Sequence, residues 1–130
     1  MRSRLVVFVL LAVSLVSAVA FAQSGKVETT FQAFAASGVT GDASLKAMPG
    51  GGTQIHAKLE GLVPNTEYIS SLYVGDQACG TAGELIVSFT SNSAGRAVWN
   101  ERVTQELIAI ESISVQLQSD NSVQACAAVD

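Results

Sequence analysis

This 130-residue chain contains one histidine, two cysteines, two prolines and seven Lys or Arg residues, and each scarcity removes a class of function. A transition-metal centre built from protein ligands needs several imidazoles or thiolates together, and His56 stands alone between Gln54 and Lys58. Its neighbours place it on the polar face of a strand, as a solvated histidine. Serine catalysis needs a base and a group that orients it; with one histidine and no Gly-x-Ser-x-Gly elbow, that chemistry is excluded. Gly50-Gly51-Gly52 lacks the Gly-Lys-Ser/Thr ending and following helix of a phosphate loop, so it is turn chemistry. No EF-hand spacing occurs. The basic residues are scattered rather than clustered, which argues against nucleic acid or anionic lipid as a partner.

What is abundant is organised in two parts. Arg2 and Arg4 precede an apolar run from Leu5 to Val19, and Ala20-Phe21-Ala22 forms a small-x-small cleavage site before Gln23. Residues 1–22 therefore read as a signal peptide, and the protein is expected to be secreted or periplasmic, without membrane attachment after cleavage. The competing reading is an uncleaved anchor, since the run approaches the length of a span. From residue 23 onward, five positive charges face all eleven carboxylates, a net of −6. Scattered acids, among them Glu60, Glu67, Asp76 and Glu84, read as a solubilising surface rather than a glycosidase pair. Residues 23–130 suffice for one domain and one core. An exported address permits a disulfide between the two cysteines, which in the chain-entropy account would contribute about 4 kcal/mol.

The domain should be all-β. Val27, Thr29, Phe31, Ala33 and Ala35 alternate with Glu28, Thr30 and Gln32, and Ala43, Leu45 and Ala47 alternate with Ser44 and Lys46. After the Met48-Pro49-Gly50-Gly51-Gly52 turn, Ile55, Ala57 and Leu59 alternate with polar residues, which predicts a hairpin. Further strands are expected over 67–74, 85–90, 96–103, 113–118 and 123–128, with a short helical turn within 104–110. Eight strands separated by turn residues describe a sandwich or barrel. Trp99 falls mid-strand, where a large aromatic packs in the core, the alternative being an exposed binding anchor. Tyr68 is placed to act as a corner tyrosine whose hydroxyl finds a backbone acceptor.

The order of these features resembles the copper/zinc superoxide dismutase family, an eight-stranded antiparallel Greek-key sandwich. The resemblance rests on the Gly-rich hairpin, the Gly61-Leu62 corner and the strand closing on Gly75 with Cys79 just beyond. It continues through the Ser-Ala-Gly turn, the Ile-x-Ser-Val strand and Ala125-Cys126 in the last strand. It implies a Cys79–Cys126 disulfide tethering the loop after the fourth strand to the last strand. It also implies metal positions, and these are vacated. The His-x-His pair of the fourth strand falls on Ser70 and Leu72, or on Ser71 and Tyr73 in the adjacent register. The late copper ligand falls on Gln118, the superoxide-guiding arginine on Val123, and the zinc loop is reduced to the few residues between Cys79 and Leu85. The four positions Ser70, Leu72, Gln118 and Val123 are expected to converge near the Gly80–Glu84 loop. The expected function is a non-catalytic binding or structural domain with no catalytic residue, metal or other cofactor, and a partner that the sequence does not name. A copper-dependent dismutase or copper-handling protein is the first alternative. A fibronectin type III-like adhesion module, suggested by Leu62-Val63-Pro64-Asn65-Thr66-Glu67-Tyr68, is the second.

Overall fold

The computed structural model describes residues 25–75, 78–80 and 83–129; the expected signal, residues 1–22, lies outside them. Eight strands form the domain: β1 (Lys26–Ala33), β2 (Thr40–Ala47), β3 (Thr53–Glu60), β4 (Glu67–Val74), β5 (Glu84–Thr90), β6 (Ala97–Val103), β7 (Ile110–Leu117) and β8 (Val123–Ala128). One 3-10 turn, Leu107–Ala109, precedes β7. The chain is therefore all-β, as its alternation predicts. The helical turn falls inside 104–110, and β7 starts three residues earlier than the sequence pattern suggests.

All ladders are antiparallel, in the order β5-β4-β7-β8-β1-β2-β3-β6. β1, β2 and β3 form a meander. β3 then takes β6 as its other neighbour, while β4 pairs with both β5 and β7. The chain thus crosses from one half of the barrel to the other and back, a Greek-key path. β8 joins the halves through two register pairs with β1, Gln32↔Cys126 and Ala33↔Ala125. The wall is nearly closed: β5 and β6, the two ends of the order, share no ladder.

Strand period fixes which residues enter the core. Thr53, Ile55, Ala57 and Leu59 of β3 are buried, whereas Gln54, His56, Lys58 and Glu60 point away from the core. The register stacks Thr29, Ala43, Ala57 and Trp99 in one row and Phe31, Gly41, Leu59 and Ala97 in another. Trp99 is only 5% exposed, so it packs in the core and is not a surface anchor. Tyr68, Leu72, Ile113, Val115, Ala125 and Ala127 complete the interior from the other half.

The corner before β4 is held by side chains rather than by ladder bonds. Tyr68 is buried, stacks on Phe89 with ring centroids 5.8 Å apart, and its hydroxyl accepts a 2.9 Å hydrogen bond from the Val63 N–H. The expected corner exists with the opposite polarity, the tyrosine serving as acceptor. Ser91 fastens the same corner: its Oγ donates to the Val63 carbonyl at 2.5 Å and accepts from the Thr66 N–H at 3.0 Å. Asn92 caps the following turn, its Oδ1 accepting from the N–H groups of Ala94 and Arg96. Gly95, at φ +72°, ends that turn against the Leu62 carbonyl, where a Cβ would collide. A turn of unremarkable sequence is thereby a strut between two hairpins.

Candidate functional site

β4 departs from simple alternation. Tyr68, Ser70 and Leu72 face the interior, yet Ser71 and Tyr73 on the outer face are also buried. Cover comes from Cys79 and Gly83, described residues of the connection between β4 and β5, the first held to the sheet by the Cys79–Cys126 disulfide. Its Cα atoms are 6.0 Å apart across a sequence separation of 47. Cys126 stands opposite Ser114 of β7 and Gln32 of β1. Cys79, in the left-handed region at φ +51°, donates its N–H to Ser112 Oγ at 2.9 Å. Gly83 presses against Tyr73 so closely that a Cβ there would stand 2.7 Å from the ring.

Beneath this cover lies a row of hydroxyls and an amide. Tyr73 donates to Ser114 Oγ at 3.3 Å, and Ser114 donates to Gln116 Oε1 at 3.1 Å. Ser112 and Ser114 are as buried as core residues. These groups satisfy one another by hydrogen bonding, as buried polar groups must. Neutral hydroxyls and an amide supply neither a general base nor a ligand set for copper or zinc.

The four positions singled out from sequence do not converge. Ser70 and Leu72 are neighbours on the inner face of β4, and Leu72 stands opposite Glu84 at the start of β5. Gln118 lies beyond the other end, in the turn after β7, where its N–H bonds the Glu67 carbonyl at 3.2 Å. Val123 opens β8 opposite Gln116. Glu67 is five residues from Leu72, about 17 Å along a strand, so Gln118 and Val123 are far from Glu84, the end of the Gly80–Glu84 segment that pairs with Leu72; residues 81 and 82 of that segment lie outside the described residues. The adjacent register, Ser71 and Tyr73, is the pair that lies on the outer face beneath the covering chain. Ser112, Ser114 and Gln116 share that face and were not anticipated. The alternating serines of Ile110-Glu111-Ser112-Ile113-Ser114-Val115 were the available signal.

The outer face of the other half is built differently. Register aligns Lys26, Lys46, Gln54 and Arg102 in one row across β1, β2, β3 and β6. Glu28, Ser44, His56 and Asn100 form the next row, and Thr30, Asp42, Lys58 and Val98 the third. Lys26 pairs with Glu28 at 3.6 Å, Gln54 Nε2 donates to Asn100 Oδ1, and Arg102 donates to the Gly51 carbonyl at 3.4 Å. A depression of about 410 Å³ opens here, among Glu28, Thr30, Asp42, Ser44, His56 and Lys58. Met48 cannot join His56 as a copper ligand. His56 is level with Ser44, and Met48 lies four residues further along, about 13 Å at strand rise. Among the described residues, no three His, Cys, Asp or Glu side chains gather in a way that could hold a metal ion.

Neither a scan against protein-family models nor a search of curated proteins returns a match to this chain.

Proposed function

We propose that this protein is an exported, non-catalytic β-sandwich domain that serves a binding or structural role, built on a scaffold resembling copper/zinc superoxide dismutase without its metal chemistry. The observation that carries this reading is the side-chain content of β4 and β7. Where the resemblance sets copper ligands, one register supplies only Ser70 and Leu72 on the inner face of β4 and the other only Ser71 and Tyr73 on its outer face, beside Ser112 and Ser114 of β7. The hydroxyls of Tyr73 and Ser114 are engaged with each other, and that of Ser112 with the Cys79 backbone. A dismutase must hold its metal through two oxidation states at an open coordination position, and neutral serine and tyrosine hydroxyls and a leucine hydrocarbon side chain are no substitute for imidazoles. The eight-strand order and a disulfide joining the β4–β5 connection to the last strand favour this scaffold over the fibronectin alternative, whose sandwich relatives have seven strands in their basic form.

Metal analysis and superoxide turnover of protein taken from its native compartment test the reading. The expected result is no stoichiometric copper or zinc, and turnover no greater than that of free metal in the same buffer. One tightly held copper per chain, lost on His56→Ala, would replace this reading with the copper-dependent alternative.

A further inference from the structure

Folding gathers charges that the sequence scatters. Lys26, Lys46, Lys58, Arg96 and Arg102 all belong to β1, β2, β3, β6 or the turn leading into β6. β4, β5, β7 and β8 contain no Lys or Arg at all. Four of the eleven carboxylates, Glu28, Asp42, Glu60 and Glu101, share these strands, and Glu106 borders Arg102 beside the turn at residues 50–52, so this half is balanced and the excess negative charge resides elsewhere in the chain. Within this half, Lys26 stands directly opposite Lys46, a like-charge pair that costs stability. Among the described residues, Lys26 finds Glu28, whereas Lys46 and Arg102 have no carboxylate partner. Three cations therefore line one row of a four-stranded face, spanning about 14 Å at ordinary strand spacing.

The surroundings of that row narrow the partner. The first two rows hold Lys26, Lys46, Gln54 and Arg102, then Glu28, Ser44, His56 and Asn100. None is aliphatic, and the imidazole is the one aromatic ring. Protein partners dock through buried aromatic and apolar anchors, which these rows lack. Cations interleaved with amides, a hydroxyl, an imidazole and one carboxylate, Glu28, already paired with Lys26, instead match a hydrated chain that carries both carboxylates and hydroxyls. We propose that the outer face of β1, β2, β3 and β6 binds an acidic polysaccharide: Lys26, Lys46 and Arg102 meet its carboxylates, and Ser44, Gln54 and Asn100 its hydroxyls. This rests on the binding-domain reading above and specifies its ligand class. The net negative charge does not forbid it. At physiological salt the screening length is about 8 Å, while the opposing sheets alone pack about 10 Å apart, so the acids of the far half are largely screened.

The test uses polygalacturonate, a linear chain with one carboxylate per sugar, titrated into the purified protein by calorimetry at physiological salt. Dextran serves as the uncharged control, and phosphatidylcholine vesicles containing phosphatidylglycerol as another anionic source. The structure leads to binding of polygalacturonate and not of dextran, and to affinity at least about tenfold weaker in the Lys46→Glu/Arg102→Glu variant. Both side chains are exposed and Lys46→Glu replaces a like-charge pair with Lys26 by an opposite-charge one, so the variant should be no less stable to heat than the parent, and Glu111→Lys on the other half should bind no less tightly than the parent. No binding of polygalacturonate, equal binding by the double variant, or binding to the vesicles alone would overturn the proposal. A failure of that kind leaves the non-catalytic reading intact, because that reading is decided by copper content and superoxide turnover.

Discussion

Removing the disulfide should be the most costly simple change to this domain. The bond closes a segment of 47 residues, and chain-entropy bookkeeping for a loop of that length gives about 4 kcal/mol at room temperature. Little else replaces it. Cys79 occupies a left-handed conformation, secured by its N–H bond to Ser112. The appropriate variant is Cys79→Ser/Cys126→Ser, which leaves no thiol to mispair. Unfolding entropy of about 2.1 cal/mol/K per residue over roughly 110 residues converts the loss into a fall of roughly 18 °C in thermal midpoint. Guanidinium and thermal unfolding, followed through the fluorescence of buried Trp99, measure both quantities. The denaturant slope should rise as well, because the unfolded chain without its cross-link exposes more surface. A loss below about 1 kcal/mol would refute the reasoning, since it would mean that the loop-closure term is not what the bond contributes. Intact-mass analysis of the parent must show both thiols oxidised; two free thiols would remove the premise itself.

Three further expectations follow from particular hydrogen bonds. Ser91 is buried and links Val63 to Thr66, so Ser91→Ala should destabilise by about 1–3 kcal/mol; an unchanged denaturation midpoint would show that the corner holds without it. Among the described residues the buried Ser70 Oγ finds no partner, so Ser70→Ala should leave stability unchanged or raise it by about 1 kcal/mol, and a clear loss in the same assay would reveal a partner for that hydroxyl. Asp120 accepts from the Ser122 hydroxyl at 2.7 Å and from the Ser122 N–H at 2.9 Å, and these bonds hold its pKa below the usual aspartate range. Because the folded value is the lower one, the carboxylate's contribution is present above the unfolded aspartate value and is lost as pH falls through the folded value. The Ser122 amide resonance should accordingly titrate below the ordinary aspartate midpoint, and an inflection at or above it would contradict the turn geometry.

The legible parts of this fold are those governed by local period. β3 shows it most simply: Ile55, Ala57 and Leu59 alternate with exposed or half-exposed polar residues, and the structure buries what the alternation marks. The corner at Gly61 and the strand ending at Val74 were visible for the same reason, through turn residues and a change of pattern. β4 was harder because its two faces are both buried. Ile69, Ser71 and Tyr73 do not alternate in polarity with Tyr68, Ser70 and Leu72, so sequence alone left the register of the vacated positions open. Gln118 and Val123 were misplaced because the end of β7 was set one residue late and its neighbour in space, Glu67, is remote in sequence. The cation row was illegible for a stronger reason. Arg102 meets Gln54 only because β6 pairs with β3 across the crossover, and no local pattern announces a pairing over nearly fifty residues.

The unequal treatment of the two outer faces has a structural part and a part that folding does not require. Burial under the chain between β4 and β5 forbids charge at Ser71, Tyr73, Ser112 and Ser114, where an unpaired ion would cost far more than any contact there could return. That argument ends at the edge of the cover. Ser88 and Thr90 of β5 are exposed and Gln124 of β8 is half-exposed, so a lysine at any of them would reach water, yet none is charged. Conversely, nothing about packing obliges Lys46 to face Lys26, and cross-strand repulsion argues against it. A sequence shaped only for solubility would spread its few cations over both halves, because interspersed signs reduce repulsion everywhere. Confining all five to β1, β2, β3, β6 and the turn leading into β6, while placing no cation at accessible positions on β5 and β8, is a distribution that stability does not reward. The cationic row is therefore where a charged ligand should be sought, and the serine-lined face beneath the disulfide is accounted for by burial alone.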